Sequence, residues 1–378
     1  MSNHNHHEDP DFLPELGSGE HSVLLDLLNQ SGARAVLRQQ RPETGYADQL
    51  PFPFLALVQQ YEMRIALLLS VINPSVGGVL LIGPRGTGKT TCVRSLTGIL
   101  PEIEVEDTSA DYQKDETVPM RWQDVKIVEL PLNARLEEVV GGINERIAVQ
   151  QNRIKLEPGI LARANHNVLY IDEVNLLDDS IVDAILDAAA QGSYTVRRGA
   201  MSGTFEARFI LIGSMNPEEG RLRPQIMDRF GLRVAVRGLT GAEPRLEVYH
   251  RVREYREGPR AFVAKWADIT NDTRELVTAA RVLLKDTVLS EEALQVGLEL
   301  VQRLEIDSHR AEFSMFEAAR AHAAADGRQM ADLRDLRIVA PLALRQRRSQ
   351  FMIDFFVRQE EEDHQIRTML DEITPVDE

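Results

Sequence analysis

The run Gly83-Pro84-Arg85-Gly86-Thr87-Gly88-Lys89-Thr90 matches G-x-x-x-x-G-K-[ST] in full. The apolar stretch Val79-Leu80-Leu81-Ile82 precedes it and a helix-forming segment follows, which is the strand–loop–helix setting this pattern requires. Glycines let a backbone wrap an anion so that its N–H groups and a helix N-terminus face the charge. Lys89 then puts a point charge on the β- and γ-phosphates of a nucleoside triphosphate, and the Thr90 hydroxyl is a ligand for Mg²⁺. Nucleotide contacts are expected from Gly83, Pro84, Arg85, Gly86, Thr87, Gly88, Lys89, Thr90 and Thr91, with ATP and Mg²⁺ as the cofactors.

Val168-Leu169-Tyr170-Ile171-Asp172-Glu173 is an apolar strand ending in two acids. Such pairs are common in solvated loops, so alone they say little. Downstream of a P-loop the same pair is a strong signal. Asp172 joins Thr90 in the metal shell, and Glu173 orients and polarises the attacking water. Phe209 to Gly213 is a further apolar run, followed by Ser214-Met215-Asn216. Asn216 either holds the same water from the tip of a neighbouring strand or caps the turn before Pro217. In Asp228-Arg229, the arginine either reaches the γ-phosphate of a neighbouring subunit or forms an ordinary surface ion pair.

Elements able to position these groups are legible around them. Tyr61 to Ser70 reads as a helix with Met63, Ile65, Leu67 and Leu68 on its apolar side. Val79–Ile82, Val125–Leu130, Val168–Ile171, Phe209–Ile212 and Arg233–Val236 read as buried strands, and a helical pattern runs from Ser180 to Gln191. Alternating strands and helices give an α/β fold with a parallel sheet, here over residues 46–241. After Gly241 the strand signals stop. Arg245–Glu257, Asp272–Leu284, Ser290–Leu304, Phe313–Ala325 and Met330–Phe356 read as helices, an all-helical lid domain over residues 242–378. Residues 1–45 form an N-terminal extension, largely disordered. A short amphipathic helix with a packing role fits His21 to Arg38. His4, His6 and His7 read as a solvated tail, with metal binding the other reading.

Composition narrows the partners. A net charge of −16 argues against nucleic acid held by bulk electrostatics. No apolar run is long enough for a membrane span. The single cysteine, Cys92, rules out disulfides within the chain and makes the cytoplasm the expected compartment.

With these motifs in order, the chain resembles the I subunit of magnesium chelatase, an AAA+ motor of chlorophyll and bacteriochlorophyll synthesis. The stretches that carry the likeness include Phe52-Pro53-Phe54, Leu100-Pro101-Glu102-Ile103-Glu104 and Glu157-Pro158-Gly159-Ile160-Leu161-Ala162-Arg163-Ala164-Asn165. Asp172-Glu173-Val174-Asn175-Leu176-Leu177, Asn216-Pro217-Glu218-Glu219-Gly220 and Leu222-Arg223-Pro224-Gln225 to Asp228-Arg229-Phe230-Gly231 complete it. The likeness is dense from Phe52 to Val236 and thinner to Arg348. It implies a ring, hexameric, with ATP at subunit interfaces and Arg229 as an arginine finger acting on the neighbour. His309-Arg310-Ala311-Glu312 resembles the family's sensor-2 segment, which implies that Arg310 touches the γ-phosphate from the helical domain. The implied partners are a D subunit and a porphyrin-binding H subunit, and the implied work is ATP-driven Mg²⁺ insertion into protoporphyrin IX on the H subunit.

Several positions depart from the family pattern: Val58-Gln59-Gln60-Tyr61, the cysteine-free Val105 to Val118, and Arg221 where an acid is usual. They make a divergent member or a paralogue of the family. The alternative is a MoxR-like AAA+ remodelling ATPase acting on a protein client, which shares the P-loop, the acidic strand end and the lid but not the Glu157 to Asn165 stretch. A ring-joining paralogue with poor hydrolysis is a third reading, opposed by the intact Lys89, Glu173, Asn216, Arg229 and Arg310.

Overall fold

A computed structural model describes residues 50–106, 120–143, 156–198, 201–220 and 222–348, with six residues between 22 and 28 and four between 361 and 369. The tail histidines, most of residues 1–45, the stretch 107–119 and nearly all of the acidic C-terminal end lie outside the described residues.

Five strands form one parallel sheet: β1 (Val79–Ile82), β4 (Ile127–Leu130), β7 (Val168–Ile171), β10 (Ile210–Met215) and β11 (Leu232–Ala235). Their order across the sheet is β11-β1-β10-β7-β4. Both faces are covered, so the strands are apolar at successive positions, as parallel strands buried on two sides must be. Val79 and Leu81, Val168 and Tyr170, and Ile210 and Ile212 fall in one core cluster. Leu80 and Ile82, Leu169 and Ile171, and Leu211 fall in the other. That alternation is the pleat itself.

The first face is covered by α1 (Tyr61–Ile72) and by the C-terminal helices, whose Phe262, Val277, Met315 and Val339 join the same cluster. The second face carries α5 (Asp179–Gln191), which buries Ile181, Val182, Ile185 and Leu186. Between them in sequence come α2 (Lys89–Ser95), α3 (Leu136–Val140), α4 (Ile160–Arg163) and, after β10, α6 (Pro224–Arg229). Two-stranded antiparallel pairs decorate this core: β2 (Ile103–Glu106) with β3 (Met120–Gln123), β5 (Gly141–Ile143) with β6 (Leu156–Pro158), and β8 (Ser193–Arg198) with β9 (Met201–Glu206).

From Ala242 onward the described chain is mainly helical: α7 (Ala242–Glu257), α8 (Pro259–Lys265), α9 (Ala267–Leu283), α10 (Glu291–Arg303), α11 (Arg310–Ala325) and α12 (Leu333–Leu344). The expected helix from Met330 begins three residues late. Met330–Ala331 is instead a strand, β13, paired with β12 (Val288–Leu289). Asp332 then caps α12, accepting from the Arg334 backbone N–H, with Asp335 completing the capping box. Past Leu344 the backbone turns extended at Arg345, which salt-bridges Glu62 at 2.8 Å. The lid is tied to the sheet edge by buried arginines. Arg233 on β11 donates to the carbonyls of Arg345 and Gln346, and Arg347 donates to Asp228, Phe230 and Gly231.

The described part of the N-terminal segment includes helical residues, and it packs. Leu24 and Leu28 are buried in the main core, the Ser22 hydroxyl donates to Asp326 at 2.9 Å, and the Leu24 N–H donates to the same carboxylate at 3.0 Å.

Candidate nucleotide site

The loop after β1 and the ends of β7 and β10 meet at one edge of the sheet, where open α/β sheets bind ligands. They enclose a cavity of about 310 Å³ lined by Arg85 to Thr91, Asp172, Glu173, Ser214, Met215 and Asn216. Gly86 and Gly88 have φ of +79° and +85°, and a Cβ on either would meet nothing within 4 Å. Here the glycines serve the left-handed backbone, with open space above them for a ligand. The Lys89 ammonium curls onto its own loop, donating to the carbonyls of Gly83 at 2.6 Å and Pro84 at 2.8 Å. Burial pulls its pKa below the ordinary lysine value, opposed by Asp172, Glu219 and Glu173.

Thr90, the second residue of α2, donates to Asp172 at 3.3 Å. Two hard oxygens so close, at the mouth of a phosphate loop, suit Mg²⁺, which takes oxygen ligands and keeps several waters. Asp172 is fixed by two further hydroxyls. Tyr170 donates to it at 2.9 Å, and Ser214 donates a short hydrogen bond to the same oxygen. Ser214 also accepts from the Glu173 backbone N–H at 3.2 Å. Glu173 sits in the left-handed region at φ +52°. That conformation is uncommon for a non-glycine residue and recurs at functional sites. Arg85 spans Glu173 and Glu219, at 2.9 Å and 2.5 Å, and these two acids, Glu219 foremost, hold its pKa above the ordinary arginine value. Asn216 is buried. Its amide donates to Glu219 and its oxygen accepts from the Glu218 N–H, so it caps a turn while lining the cavity.

The structure thus gathers Lys89, Thr90, Asp172, Glu173 and Asn216 around one cavity. Arg229 and Arg310 do not line it. Both line a separate cleft of about 900 Å³ that also involves α5, β10 and the start of α11. There Arg229 salt-bridges Asp187, and Arg310 lies 3.7 Å from Asp228. Within one chain, then, Arg310 does not reach the γ-phosphate position expected of it. It stands at the N-terminal end of α11, and the docking of that helix against α1 carries it to the other cleft.

Three site groups escape a reading of motifs: Tyr170, Ser214 and Glu219. Tyr170 has a sequence signal, since it lies two residues before Asp172 and so shares its side of the strand. Ser214 becomes relevant only through register. Gly213 pairs with Ile171, which sets Ser214 beside Asp172.

Residues 56–223 match the family described as "Magnesium chelatase, subunit ChlI", and residues 298–369 match the AAA lid domain. The magnesium-chelatase subunit ChlI homolog of Methanocaldococcus jannaschii is 42% identical over 316 residues, covering 79% of this chain and 87% of its own length. The chain belongs to the magnesium chelatase ChlI family. The magnesium-chelatase 38 kDa subunit of Rhodobacter capsulatus is 41% identical over 324 residues, covering 83% of this chain and 92% of that protein. Its counterpart from Chlorobaculum tepidum is 38% identical over 332 residues, covering 83% and 85%. A crystal structure of a Cytophaga hutchinsonii protein, 19% identical, overlays with a TM-score of 0.53 over 85% of each chain and shares the fold. By family the chain is an AAA+ ATPase subunit with an α/β core and a helical lid. Among the described residues no helix is long and apolar enough to cross a membrane.

Proposed function

We propose that this chain is the ATP-hydrolysing motor subunit of a magnesium chelatase. It assembles into a ring, hexameric in our reading, and works in the cytoplasm with D and H partner subunits to drive Mg²⁺ insertion into protoporphyrin IX. The observation that carries the reading is the division of the catalytic set. Phosphate- and water-handling groups surround one cavity, while the two arginines suited to a γ-phosphate surround another. Such a set is complete only when one copy's arginine cleft meets the next copy's P-loop. Support for the substrate comes from the relatives, which are named as magnesium-chelatase subunits.

In this scheme the loop from Gly83 to Gly88 and the N-terminus of α2 hold the phosphates through backbone N–H groups. Lys89 leaves its loop carbonyls for the β- and γ-oxygens. Thr90 and Asp172 would hold Mg²⁺, which would supply charge neutralisation on the phosphates. Glu173 takes the proton of the attacking water, and Asn216 helps to fix that water. Arg229 and Arg310 of the adjacent copy stabilise charge on the transferred phosphoryl group. Their release after hydrolysis shifts the lid, to which Arg233 and Arg347 couple the sheet edge. The chelation itself lies with the H subunit, so this chain needs no porphyrin cleft.

The test is a pair of measurements on the isolated protein. ATP hydrolysis per chain should rise with protein concentration, and protoporphyrin fluorescence should stay unquenched at micromolar chain. Tight porphyrin binding by this chain alone would overturn the division of labour.

A further inference from the structure

Four arginines line the 900 Å³ cleft: Arg208, Arg229, Arg281 and Arg310. Three have partners in their own chain. Arg229 pairs with Asp187, Arg310 with Asp228, and Arg281 donates to the Val71 carbonyl. The fourth, Arg208, is exposed, and among the described residues its guanidinium has neither an ion-pair nor a hydrogen-bond partner. In a chain with 59 acidic and 43 basic residues, a cation without a carboxylate beside two paired ones is an open position in the cleft.

Arg208 is also held in place. Its backbone N–H donates to the Asn165 side chain at 2.9 Å, and its carbonyl accepts from the His166 N–H at 2.6 Å. His166 carries the left-handed φ of +59° that turns this loop toward Arg208. The arginine stem lies over Gly192, the C-cap of α5, 3.3 Å from where a Cβ would stand there. A side chain with so firm a base loses less freedom on meeting a partner than a loose surface arginine would.

We infer that Arg208 is a third positioning arginine of the shared site, one that engages an anionic group on the P-loop side of a second copy of this chain. The inference rests on the shared-site reading above and adds to it a residue outside the sequence motifs. Two anions are available there: the phosphates of the neighbour's bound nucleotide, and carboxylates at its P-loop mouth such as Glu173 and Glu219.

The experiment uses full-length chains. Arg208→Ala should bind MgATP at low concentration as the wild type does, yet hydrolyse it about tenfold more slowly at concentrations where the wild type assembles. Arg208→Lys should recover part of the rate. Mixing Arg208→Ala with Lys89→Ala chains should restore activity, because one interface then pairs an intact P-loop with an intact Arg208. An assembly deficit seen only with MgATP identifies the phosphates as the partner, and one seen also without nucleotide identifies a carboxylate. Either supports the inference. Wild-type hydrolysis by Arg208→Ala at every concentration overturns it. So does a slow Arg208→Ala that is not rescued in confirmed mixed assemblies, when Arg229→Ala with Lys89→Ala is rescued. If neither mixture is rescued, the shared-site reading itself falls.

Discussion

Arg310 stands 3.7 Å from the carboxylate of Asp228, the residue next to Arg229, and shares a cleft with that arginine away from the chain's own P-loop cavity. The same carboxylate accepts from Ser308 at 2.8 Å and salt-bridges Arg347 at 2.7 Å. One acid thereby links α6 to the start of α11 and to the segment after α12. Arg310→Ala and Arg229→Ala should therefore each lower hydrolysis by about a thousandfold, the scale of an arginine finger, while leaving MgATP binding to single chains intact. Mixing either with Lys89→Ala should recover activity. Persistent inactivity in verified mixed rings would assign the arginine to its own chain's site.

Lys89 and Glu173 should separate binding from turnover. Lys89→Ala removes the point charge on the phosphates and should weaken MgATP binding at least about tenfold. Glu173→Gln keeps the size and loses the base, so binding should persist while turnover falls about a hundredfold or more. Equilibrium nucleotide binding beside steady-state hydrolysis checks both. Wild-type hydrolysis by Glu173→Gln would remove its water-handling role.

Ser214 tests the metal shell from behind. It donates to Asp172 and accepts from the Glu173 N–H, so it orients both acids at once. Outer partners of metal ligands typically influence affinity by tenfold or more. Ser214→Ala should raise the Mg²⁺ needed for half-maximal hydrolysis by about tenfold, with metal-free ATP binding little changed. A Mg²⁺ titration that overlays the wild type would show that Asp172 needs no such support.

Cys92 follows the P-loop but is buried, and burial pushes its thiol pKa from 9.0 up to about 12. The folded protein should resist thiol reagents at pH 8 and react only once unfolded. The sign of the linkage is fixed by the raised value. Stability from keeping this thiol protonated is complete below the unfolded value of 9.0 and is lost as pH climbs towards about 12. Denaturation midpoints followed from pH 8 to 11 should fall, and fall less steeply in Cys92→Ala. Rapid labelling of the native thiol would contradict its burial.

How much of this was legible in the sequence depends on how local each feature is. The P-loop is eight consecutive residues, and Val79–Ile82 is a strand at the expected boundaries because four buried apolar residues before a glycine turn leave little choice. The sequence pattern gives no separate helix over α8, although Pro259 at its first turn is a standard opening. The β8–β9 hairpin leaves no apolar run in the sequence, because its strands are half polar and Met201–Glu206 alternates exposed with partly buried residues. Ser214 depended on strand register, and Arg310 on the docking of α11 over α1. No single stretch of sequence encodes either. The arginine in the motif was visible, but which cavity it faces was a property of the folded chain.

The central claim is that hydrolysis at this shared site drives metal insertion on a partner. The most direct measurement is the rate of Mg-protoporphyrin formation when purified chain is combined with D and H subunits, Mg²⁺, ATP and protoporphyrin IX. The account predicts ATP-dependent product that disappears when Glu173→Gln or Arg310→Ala replaces the wild-type chain. No product with D and H subunits shown to be competent with another I subunit would contradict it and direct the motor towards a protein client instead.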